Sequence, residues 1–320
     1  MRDRFQREID YIRISVTDKC NFRCRYCMPE EGVETIPHSE VLSFEEIVRV
    51  VSVLSELGIK KVKITGGEPL VRRDICTLIQ KIAKISGIED ITLTTNGFLL
   101  GEMAEQLKRA GIRTINVSVD TLNRREFADI CRRDGLDQVL DSIEKAKNSG
   151  LEIRINTTVS EESNLEELFE LLEYFVNRDI PVRFIELMPI GCGHGSRVKN
   201  QDLQKMLKKR YPDLVRSNFS GNGPAVYYTF GKNKKVGFIS AVHNKFCESC
   251  NRIRLSCDGK IKPCLASSLS YDIKAVLRSG GDDKKLKESL EQAIFYKPLE
   301  HHFGKEKSGC IKNTMNQIGG

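Results

Sequence analysis

Three cysteines near the start of the chain have a spacing that suits one metal centre. Cys20, Cys24 and Cys27 follow the pattern CxxxCxxC, directly after a strand-like segment. Iron–sulfur clusters are held by cysteine thiolates, usually four of them. With only three protein ligands, a [4Fe–4S] cluster here would keep one iron open to a further ligand. Two alternatives to a cluster remain. The cysteines could bind zinc together with a fourth ligand from elsewhere in the chain, or they could be unligated thiols.

A second group of cysteines lies near residue 250. Cys247 and Cys250 are spaced CxxC, and Cys264 follows them. Cys257 lies between, so a four-cysteine zinc ribbon is a serious alternative. An Arg-x-Arg sequence at 252–254 puts two cations beside the cysteines. Fixed cations favour a polyanionic ligand over a purely structural metal, because charged hydrogen bonds each contribute about 1.5–3 kcal/mol.

The composition fits a globular protein of a reducing compartment. The 320 residues are 40% hydrophobic and 30% charged, which excludes general disorder. Eleven cysteines are an odd number and exclude a fully paired disulfide framework. The charged N-terminal segment lacks an apolar signal core, and no apolar run is long enough to span a membrane. We therefore expect the protein to be cytoplasmic. Its net charge of +7 suits an anionic ligand.

Strand-like and helix-like segments alternate through residue 190. Such alternation predicts parallel βαβ units of about 30 residues, so this region holds about six units, whereas a closed eight-unit barrel takes about 250 residues. We predict an α/β fold: an incomplete (βα)6 barrel over 1–190, closed by a C-terminal domain over 191–320. A doubly wound sheet is the competing architecture. The predicted strands are 10–16, 60–65, 90–95, 113–119, 152–159 and 181–187, and the predicted helices are 43–57, 73–85, 101–110, 137–149 and 164–177.

The strands alternate between apolar and polar residues. Ile12 and Ile14 share one face of the first strand, for example, and Arg13 and Ser15 share the other. Strands of a doubly wound sheet are covered on both faces and are more continuously apolar. Alternation therefore favours a barrel with helices outside and a polar, partly cationic interior. An antiparallel sheet with one wet face is the remaining alternative. After residue 190 we predict a helix near 199–210, a hairpin of 225–230 and 235–241, helices near 271–278 and 283–296, and no clear period from 304 to 320.

The motifs resemble those of the radical S-adenosylmethionine (SAM) superfamily. Tyr26 directly precedes the last cysteine of CxxxCxxC, and the next strand ends in Gly-Gly-Glu-Pro at 66–69. The resemblance implies a [4Fe–4S] cluster on Cys20, Cys24 and Cys27. Its open iron would chelate SAM, which an electron cleaves to methionine and a 5′-deoxyadenosyl radical.

Nearly the whole chain resembles the GTP 3′,8-cyclase family of molybdenum cofactor (molybdopterin) biosynthesis. The resemblance is carried by segments 11–29, 64–74, 94–97, 115–122, 183–189, 246–265 and 316–320. It implies conversion of GTP to (8S)-3′,8-cyclo-7,8-dihydroguanosine 5′-triphosphate, by hydrogen abstraction from ribose C3′ and C3′–C8 bond formation. It also implies a second [4Fe–4S] cluster on Cys247, Cys250 and Cys264, with Cys257 a bystander.

The resemblance also implies ligand contacts and catalytic roles, position by position. The expected SAM contacts are Tyr26, Gly67, Ser118 and Met188. The expected GTP contacts are Arg13, Lys63, Thr94, Arg154, Arg183, Arg252, Ile253 and Arg254. Of these, catalytic roles are expected for Arg13, Arg252 and Arg254. Lys63 stands where the family commonly has arginine, and Arg154 where it has lysine. The tail ending in Gly319-Gly320 is expected to reach into the active site.

The resemblance implies several partners. These are an external electron donor of the flavodoxin or ferredoxin type, and cyclic pyranopterin monophosphate synthase as the enzyme that takes the product. A homodimer is allowed, and neither nucleic acid nor a membrane is expected. The rival functions are a radical SAM peptide-modifying enzyme and a zinc-ribbon protein that binds nucleic acid. Cys76, Cys131, Cys192 and Cys310 are interpreted as buried or incidental thiols, and His194 gets no role.

Overall fold

One open sheet of 12 strands organises the molecule. This computed structural model describes residues 1–195, 197–219, 221, 223–301, 303 and 314–318. Six parallel strands lie in chain order at the centre of the sheet. They are β1 (Tyr11–Ser15), β2 (Lys61–Thr65), β3 (Asp90–Thr95), β4 (Thr114–Ser118), β5 (Glu152–Val159) and β6 (Val182–Glu186). Parallel strands in chain order are the arrangement of a βα barrel, whereas a doubly wound sheet reverses its order at a switch point. The incomplete barrel is confirmed, and the doubly wound and antiparallel alternatives are wrong.

Helices connect these strands. They are α1 (Phe44–Glu56), α2 (Ile75–Ala83), α3 (Leu100–Ala110), α4 (Arg124–Cys131), α5 (Leu136–Asn148) and α6 (Leu165–Val176). Ser43 and Glu46 form a capping box at the start of α1, as the Ser-x-x-Glu spacing predicts, and Gly58 follows the helix with a φ of +92°. The sequence analysis missed α4, because this eight-residue helix buries only Phe127 and Cys131 and its other residues show little apolar period.

The C-terminal part of the chain extends both edges of the sheet. Its strands are β7 (Val215–Arg216), β8 (Val226–Phe230), β9 (Lys234–Ile239), β10 (Arg252–Leu255), β11 (Lys260–Lys262) and β12 (Tyr271–Asp272). Its helices are α7 (Asn200–Arg210), α8 (Ile273–Arg278), α9 (Asp283–Phe295) and α10 (Met315–Ile318), and 3-10 turns span His38–Glu40, Pro69–Val71 and Cys247–Ser249. The predicted hairpin is present as β8–β9, and β9 pairs with β6. A second hairpin, β10–β11, was not predicted, and β10 pairs with β1. The domain boundary after residue 190 stays a prediction.

The two faces of the central strands differ as the alternation predicts. Ile12, Ile14 and Val62 are fully buried and pack in one hydrophobic core with the helices, including Val50 and Leu54 of α1. Burying each such side chain contributes about 1.5–3 kcal/mol. The opposite face carries the polar side chains and is called the lumen below. The helices thus cover the outer face and leave the polar face for a ligand.

Candidate active site in the lumen

The first cysteine group lies in the loop that follows β1. The loop turns tightly, because the Cys27 amide donates to the Cys24 carbonyl over 2.9 Å and the Phe22 amide donates to Cys20 Sγ over 3.4 Å. Burial raises the pKa of the Cys20 thiol to about 12, and burial together with Cys24 and Cys20 raises the pKa of Cys27 as well. Three crowded thiolates that repel one another need a cationic centre to coexist. The donor set therefore fits the iron–sulfur cluster that the spacing predicts.

Glycines bring the end of β2 against this loop. The Gly67 amide donates to the Thr17 carbonyl over 2.6 Å, and the Glu68 amide donates to the Lys19 carbonyl over 2.8 Å. A Cβ atom on Gly67 would lie 2.4 Å from the Lys19 carbonyl oxygen, inside contact distance. Only glycine allows this approach of two backbones. The Gly-Gly sequence therefore holds the β2 end in place beside the cysteine loop.

Glu68, which the sequence analysis gave no role, ties together the ends of β2 and β3. Its buried carboxylate accepts hydrogen bonds from Thr95 Oγ1 (2.7 Å), the Asn96 amide (2.7 Å) and the Leu70 amide (3.0 Å). Burial raises the pKa of this carboxyl to about 7, against the opposing effect of these donors. Asn96 in turn donates to Asn21 Oδ1 over 2.8 Å, inside the cysteine loop. Glu68 thus links two strand ends to the first cysteine group.

The four expected SAM-contact positions lie at one rim of the barrel. Tyr26 follows β1, Gly67 follows β2, Ser118 ends β4 and Met188 follows β6. The Tyr26 hydroxyl donates to Asp120 Oδ2 over 2.7 Å. Parallel strands place their carboxyl ends at the same rim, which is where βα barrels bind their ligands. The structure therefore brings these positions to the same side as the first cysteine group.

The Tyr26 bond is part of a fixed contact with the barrel. The other oxygen of Asp120 accepts from the Thr158 amide over 2.7 Å. Burial raises the pKa of the Asp120 carboxyl, although both donors lower it. The aromatic residue of the cysteine motif is thereby anchored to β5 through a carboxylate. Sequence spacing alone could not identify this partner.

Cations cross the lumen in a row set by the strand register. Arg254 of β10 is paired with Arg13 of β1, and Arg13 is paired with Lys63 of β2. Adjacent strands are about 4.8 Å apart, so the row concentrates positive charge on one side of the lumen. Burial lowers the pKa of Arg13 to about 10, and burial lowers that of Lys63 well below its usual value, with Arg183 and Arg13 adding to the effect. A polyanion in the lumen would relieve this repulsion.

The opposite side of the lumen carries the remaining expected GTP contacts. Asn116 of β4 is in register with Arg154 and with Thr94, and Asn156 of β5 is in register with Arg183. Arg183 also donates to Asn116 Oδ1.

Three buried side-chain polar atoms on the lumen face of the sheet lack hydrogen-bond partners within the described part of the chain. These atoms are Thr92 Oγ1, Asn156 Oδ1 and Arg183 Nε. Buried polar groups are nearly always hydrogen-bonded in a working protein. These unpartnered donors and acceptors would be satisfied by hydrogen bonds to a polar, anionic ligand in the lumen.

Ile253 is placed differently from its neighbours. It pairs with Ile12 and is fully buried in the hydrophobic core on the outer face. Its side chain is therefore turned away from the lumen, and only its main chain remains for the expected GTP contact. Arg252 and Arg254, on either side, have the opposite parity and line the lumen.

Lys262 is a lumen cation that the sequence analysis missed. It is 8% exposed and pairs with Arg254 across the β10–β11 hairpin, so the two side chains share a face. Burial lowers its pKa, and Arg254 lowers it further, whereas Cys264 raises it. Recognising Lys262 as a lumen residue requires knowing that β10 and β11 form a hairpin. That hairpin was not predicted, because its strands have only four and three residues.

The second cysteine group is surrounded by positive charge. Cys247 and Cys250 are joined by a 3-10 turn, in which the Cys250 amide donates to the Cys247 carbonyl over 3.2 Å. Arg252 donates to Cys250 Sγ over 3.8 Å. Burial alone raises the pKa of Cys250, but Arg252 and Lys297 outweigh it and lower the pKa to about 6. This thiolate is stabilised before any metal binds, which suits a metal-ligating cysteine.

Cys257 is not part of that group. It is fully buried beside Ser15 and Asp18, and its carbonyl accepts the Leu42 amide over 2.8 Å. Burial raises its pKa to about 12, and the charges of Asp18 and Asp258 add to that rise. A four-cysteine zinc ribbon that includes Cys257 is therefore not assembled. In the described part of the chain, no three potential ligands converge on a single metal ion. Thiolates on separate irons of a cluster lie further apart than thiolates on one ion, so both triads remain suited to a cluster.

The remaining described cysteines lie close to the first group or away from both groups. Cys131 is buried and hydrogen-bonded to Cys24, and Cys192 is near Cys27. Cys76 is half-buried in α2. All ten cysteines that the structure describes are free. The interpretation of Cys310 lies outside the described residues. None of the described helices is both long and apolar enough to cross a membrane.

The end of the chain packs against the first cysteine group. Asn316 is buried and donates to the Asp18 carbonyl over 2.9 Å, and its main chain contacts Cys27. Thr314 lies against Gly191, where an added Cβ would be 2.9 Å from the Thr314 backbone. The described tail thus returns to the active-site rim. The predicted role of Gly319-Gly320 lies outside the described residues.

Known proteins match the whole chain. The family model described as Radical SAM superfamily matches residues 14–175, and the one described as Molybdenum Cofactor Synthesis C matches residues 180–303. A protein named GTP 3′,8-cyclase from Clostridium perfringens (strain SM101 / Type A) is 42% identical over 323 residues, with 100% of both chains covered. Another of that name, from Desulforamulus reducens, is 43% identical over 327 residues, again with 100% of both chains covered.

The chain belongs to the GTP 3′,8-cyclase family. Solved structures support the fold of this family member at lower identity. Streptococcus suis SuiB bound to precursor peptide SuiA is 16% identical with a TM-score of 0.65, covering 98% of this chain and 71% of that one. Native anSMEcpe with bound AdoMet is 16% identical with a TM-score of 0.61, covering 96% of this chain and 87% of that one. At this identity the likeness concerns the radical SAM fold alone.

Two lumen positions of this GTP 3′,8-cyclase family member are those where the sequence analysis expects the family to have other cationic residues. Lys63 and Arg154 exchange the expected arginine and lysine, and both side chains lie on the lumen face. Arg154 contacts Glu152 over 3.6 Å and stacks 5.8 Å from the Phe219 ring. The lumen therefore has an ammonium group on β2 and a planar guanidinium on β5, which present hydrogen-bond donors differently.

Proposed function

We propose that this chain converts GTP to (8S)-3′,8-cyclo-7,8-dihydroguanosine 5′-triphosphate, the first step of molybdenum cofactor biosynthesis. One observation carries the proposal. A cationic lumen, crossed by Arg254, Arg13 and Lys63, lies between a cysteine group at the rim of β1 and a second cysteine group beside β10. Such a lumen suits a nucleoside triphosphate, whose charge the arginines and lysines would balance. Full-length similarity to proteins named GTP 3′,8-cyclase supports the same activity.

The rim of the barrel would hold the radical source. Cys20, Cys24 and Cys27 supply three thiolates for a [4Fe–4S] cluster with an open iron. When bound, cluster and SAM together supply the 5′-deoxyadenosyl radical that takes the hydrogen from ribose C3′. The expected SAM contacts are Tyr26, Gly67, Ser118 and Met188. The absence of a side chain at Gly67 lets the end of β2 lie close to the cysteine loop, and the hydrogen bond to Asp120 fixes the ring of Tyr26.

The lumen would hold GTP by charge and by hydrogen bonds. The expected contacts are Arg13, Lys63, Thr94, Arg154, Arg183, Arg252, Ile253 and Arg254, to which we add Lys262. Each charge-assisted hydrogen bond contributes about 1.5–3 kcal/mol when the partners are buried. Because these side chains are held on several strands, they can orient the ribose toward the rim and exclude water from it.

The second cysteine group would hold a second [4Fe–4S] cluster beside the substrate. Cys247, Cys250 and Cys264 again provide three ligands and leave one iron open. Arg252 and Arg254 line the lumen next to this group, so they and Arg13 are the candidates for catalytic roles. Their positive charge would stabilise the nucleotide as the C3′–C8 bond forms.

The proposed partners follow from this chemistry. SAM cleavage needs one electron, which we assign to an external donor of the flavodoxin or ferredoxin type. The nucleotide radical that remains after C3′–C8 bond formation needs a second electron and a proton to give the product. The product would pass to cyclic pyranopterin monophosphate synthase. The protein would act in the cytoplasm without nucleic acid or a membrane, and a homodimer is compatible with these roles.

Anaerobic reconstitution tests the proposed function. The protein is loaded with iron and sulfide, its metals are counted, and it is incubated with SAM, a reductant and GTP. We expect about eight irons per chain, from two four-iron clusters, and 5′-deoxyadenosine that forms in proportion to the cyclised nucleotide. Zinc in place of half the iron, or SAM cleavage that ignores GTP, would contradict the proposal. ATP in place of GTP is the matched control and should give no cyclised product.

A further inference from the structure

Lys297, just beyond the end of α9, is a buried cation that neither the sequence motifs nor the proposed catalytic set uses. It is 2% exposed and is among the largest fully buried side chains described. Its ammonium donates to the Arg252 carbonyl over 2.8 Å and to the Pro263 carbonyl over 2.6 Å. Arg252 lies two residues after Cys250, and Pro263 directly precedes Cys264. One side chain therefore braces the backbone beside two of the three cysteines.

Arg7 braces the backbone of the third cysteine. Its guanidinium donates to the Cys247 carbonyl and to the Leu299 carbonyl, each over 2.8 Å. Asp3 accepts from the same guanidinium over 2.6 Å, so the charge of Arg7 is paired. Arg7 can therefore act as a neutral structural clamp together with Asp3.

Lys297 differs from Arg7 in its charge balance. Among residues 1–195, 197–219, 221, 223–301, 303 and 314–318, no carboxylate lies within ion-pair distance of its ammonium. The two carbonyls satisfy hydrogen bonds but do not neutralise the charge. A buried ammonium without an anion is destabilising, and burial lowers the pKa of Lys297 accordingly. Cys250 and Cys264, whose thiolates would be ligands of the proposed cluster, oppose this effect.

We propose that Lys297 is the counter-cation of the second cysteine group and raises the reduction potential of the cluster bound there. The inference rests on the proposed function in one respect, the presence of that cluster. Reduction adds a negative charge to the cluster, and a nearby buried cation stabilises the reduced form more than the oxidised form. Lys297 acts through charge and is a positioning residue, because its partners are backbone carbonyls rather than the nucleotide.

The test uses full-length chains in which Cys20, Cys24 and Cys27 are replaced by alanine, so that only the second group can bind a cluster. In this background we compare Lys297→Met, Lys297→Arg and the control Lys287→Met. Lys287 lies in α9, is partly exposed and pairs with Glu56 over 3.4 Å. Iron and sulfide are counted, and the midpoint potential is measured by a reductive titration followed by electron paramagnetic resonance. The same replacements are then titrated in the chain that carries both clusters.

We expect Lys297→Met to shift the midpoint potential to a more negative value, and Lys297→Arg and Lys287→Met to leave it near that of the parent. If Lys297→Met loses iron and Lys297→Arg keeps it, the counter-cation role is also supported. A Lys297→Met chain with full iron and an unchanged potential overturns the inference. So does an arginine variant that behaves like the methionine variant, because charge would then not be the cause. A parent chain without iron at the second group would instead contradict the proposed function.

Discussion

The two cysteine groups each contain three cysteines, but the charged residues around Cys20 and Cys250 differ in sign. In the first group, burial raises the pKa of Cys20 to about 12, and the charge of Glu68 adds to that rise. In the second group, Arg252 and Lys297 outweigh burial and lower the pKa of Cys250 to about 6. The pKa values of Cys20 and Cys250 are therefore shifted in opposite directions, whereas burial raises the pKa of Cys247, as it does in the first group.

The difference matches the charge of the ligand expected at each place. SAM carries a sulfonium and an ammonium group, and the first group lies among the carboxylates of Glu68 and Asp120. GTP is a polyanion, and the second group lies beside Arg252, Arg254 and Lys262. A cluster site is thus prepared for its second ligand by the residues around the cysteines rather than by the cysteines themselves.

Removing one ligand from each group should break the two functions separately. Cys24→Ala should lose the first cluster and all SAM cleavage, whereas Cys250→Ala should lose the second cluster and cyclise no GTP while it still cleaves SAM. Iron analysis and product quantification check this, and each variant should retain about four irons. Cys76→Ala is the control, since Cys76 lies in α2 away from both groups. Full iron in Cys250→Ala would argue against a cluster on the second group.

Arg254→Ala should separate substrate chemistry from cluster assembly. Loss of one buried charged hydrogen bond of about 1.5–3 kcal/mol corresponds to a decrease in GTP turnover of about 10- to 100-fold. The iron content should stay at the level of the parent. Arg124→Ala provides a control, because Arg124 is an exposed arginine that pairs with Asp134 over 3.0 Å. Loss of iron in Arg254→Ala would assign the residue a structural role instead.

Gly67→Ala should disturb the first group without touching a cysteine. The new methyl group would lie 2.4 Å from the Lys19 carbonyl oxygen, so one of the two backbones must move. We expect a loss of about 1–3 kcal/mol in unfolding free energy and weaker SAM binding, measured by denaturation and by calorimetry. Gly223→Ala is the matched control, because none of the residues that the structure describes lies within 4 Å of its added Cβ. Unchanged SAM affinity in Gly67→Ala would mean that the loop adapts.

Lys262→Met should have the smallest effect of these variants, and it tests whether Lys262 belongs to the GTP site. Removing one cation from the row next to Arg254 should weaken GTP binding about fivefold, equivalent to about 1 kcal/mol. The effect should fade as salt is raised, because screening weakens the interaction between charges. Lys260→Met is the control from the same strand, since Lys260 is half-exposed and pairs with Asp258 over 2.7 Å. Equal affinities in the two variants would remove Lys262 from the GTP site.

Much of the barrel could be predicted because its signals are local. The alternation in β1 and β2 placed Arg13 and Lys63 on the polar face before any register was known, and the structure puts them side by side. The capping box at Ser43 and the glycine stop at Gly58 are likewise contained within a few residues. The short β10–β11 hairpin escaped prediction, and Lys262 with it, because strands of three or four residues have too little period.

The sequence by itself determined the kind of chemistry: two triads of cysteines, a glycine-rich strand end and cations spaced along strands. Only the tertiary structure decided which groups meet. It brings Arg7 to Cys247, 240 residues away, and Asn316 to Asp18, 298 residues away. It also carries Cys257 away from the second cysteine group and Lys297 beside it. Sequence spacing identifies cysteines that lie in the same loop. The charged residues that shift the pKa of those cysteines come from distant elements, and only the packing of the fold brings them into contact.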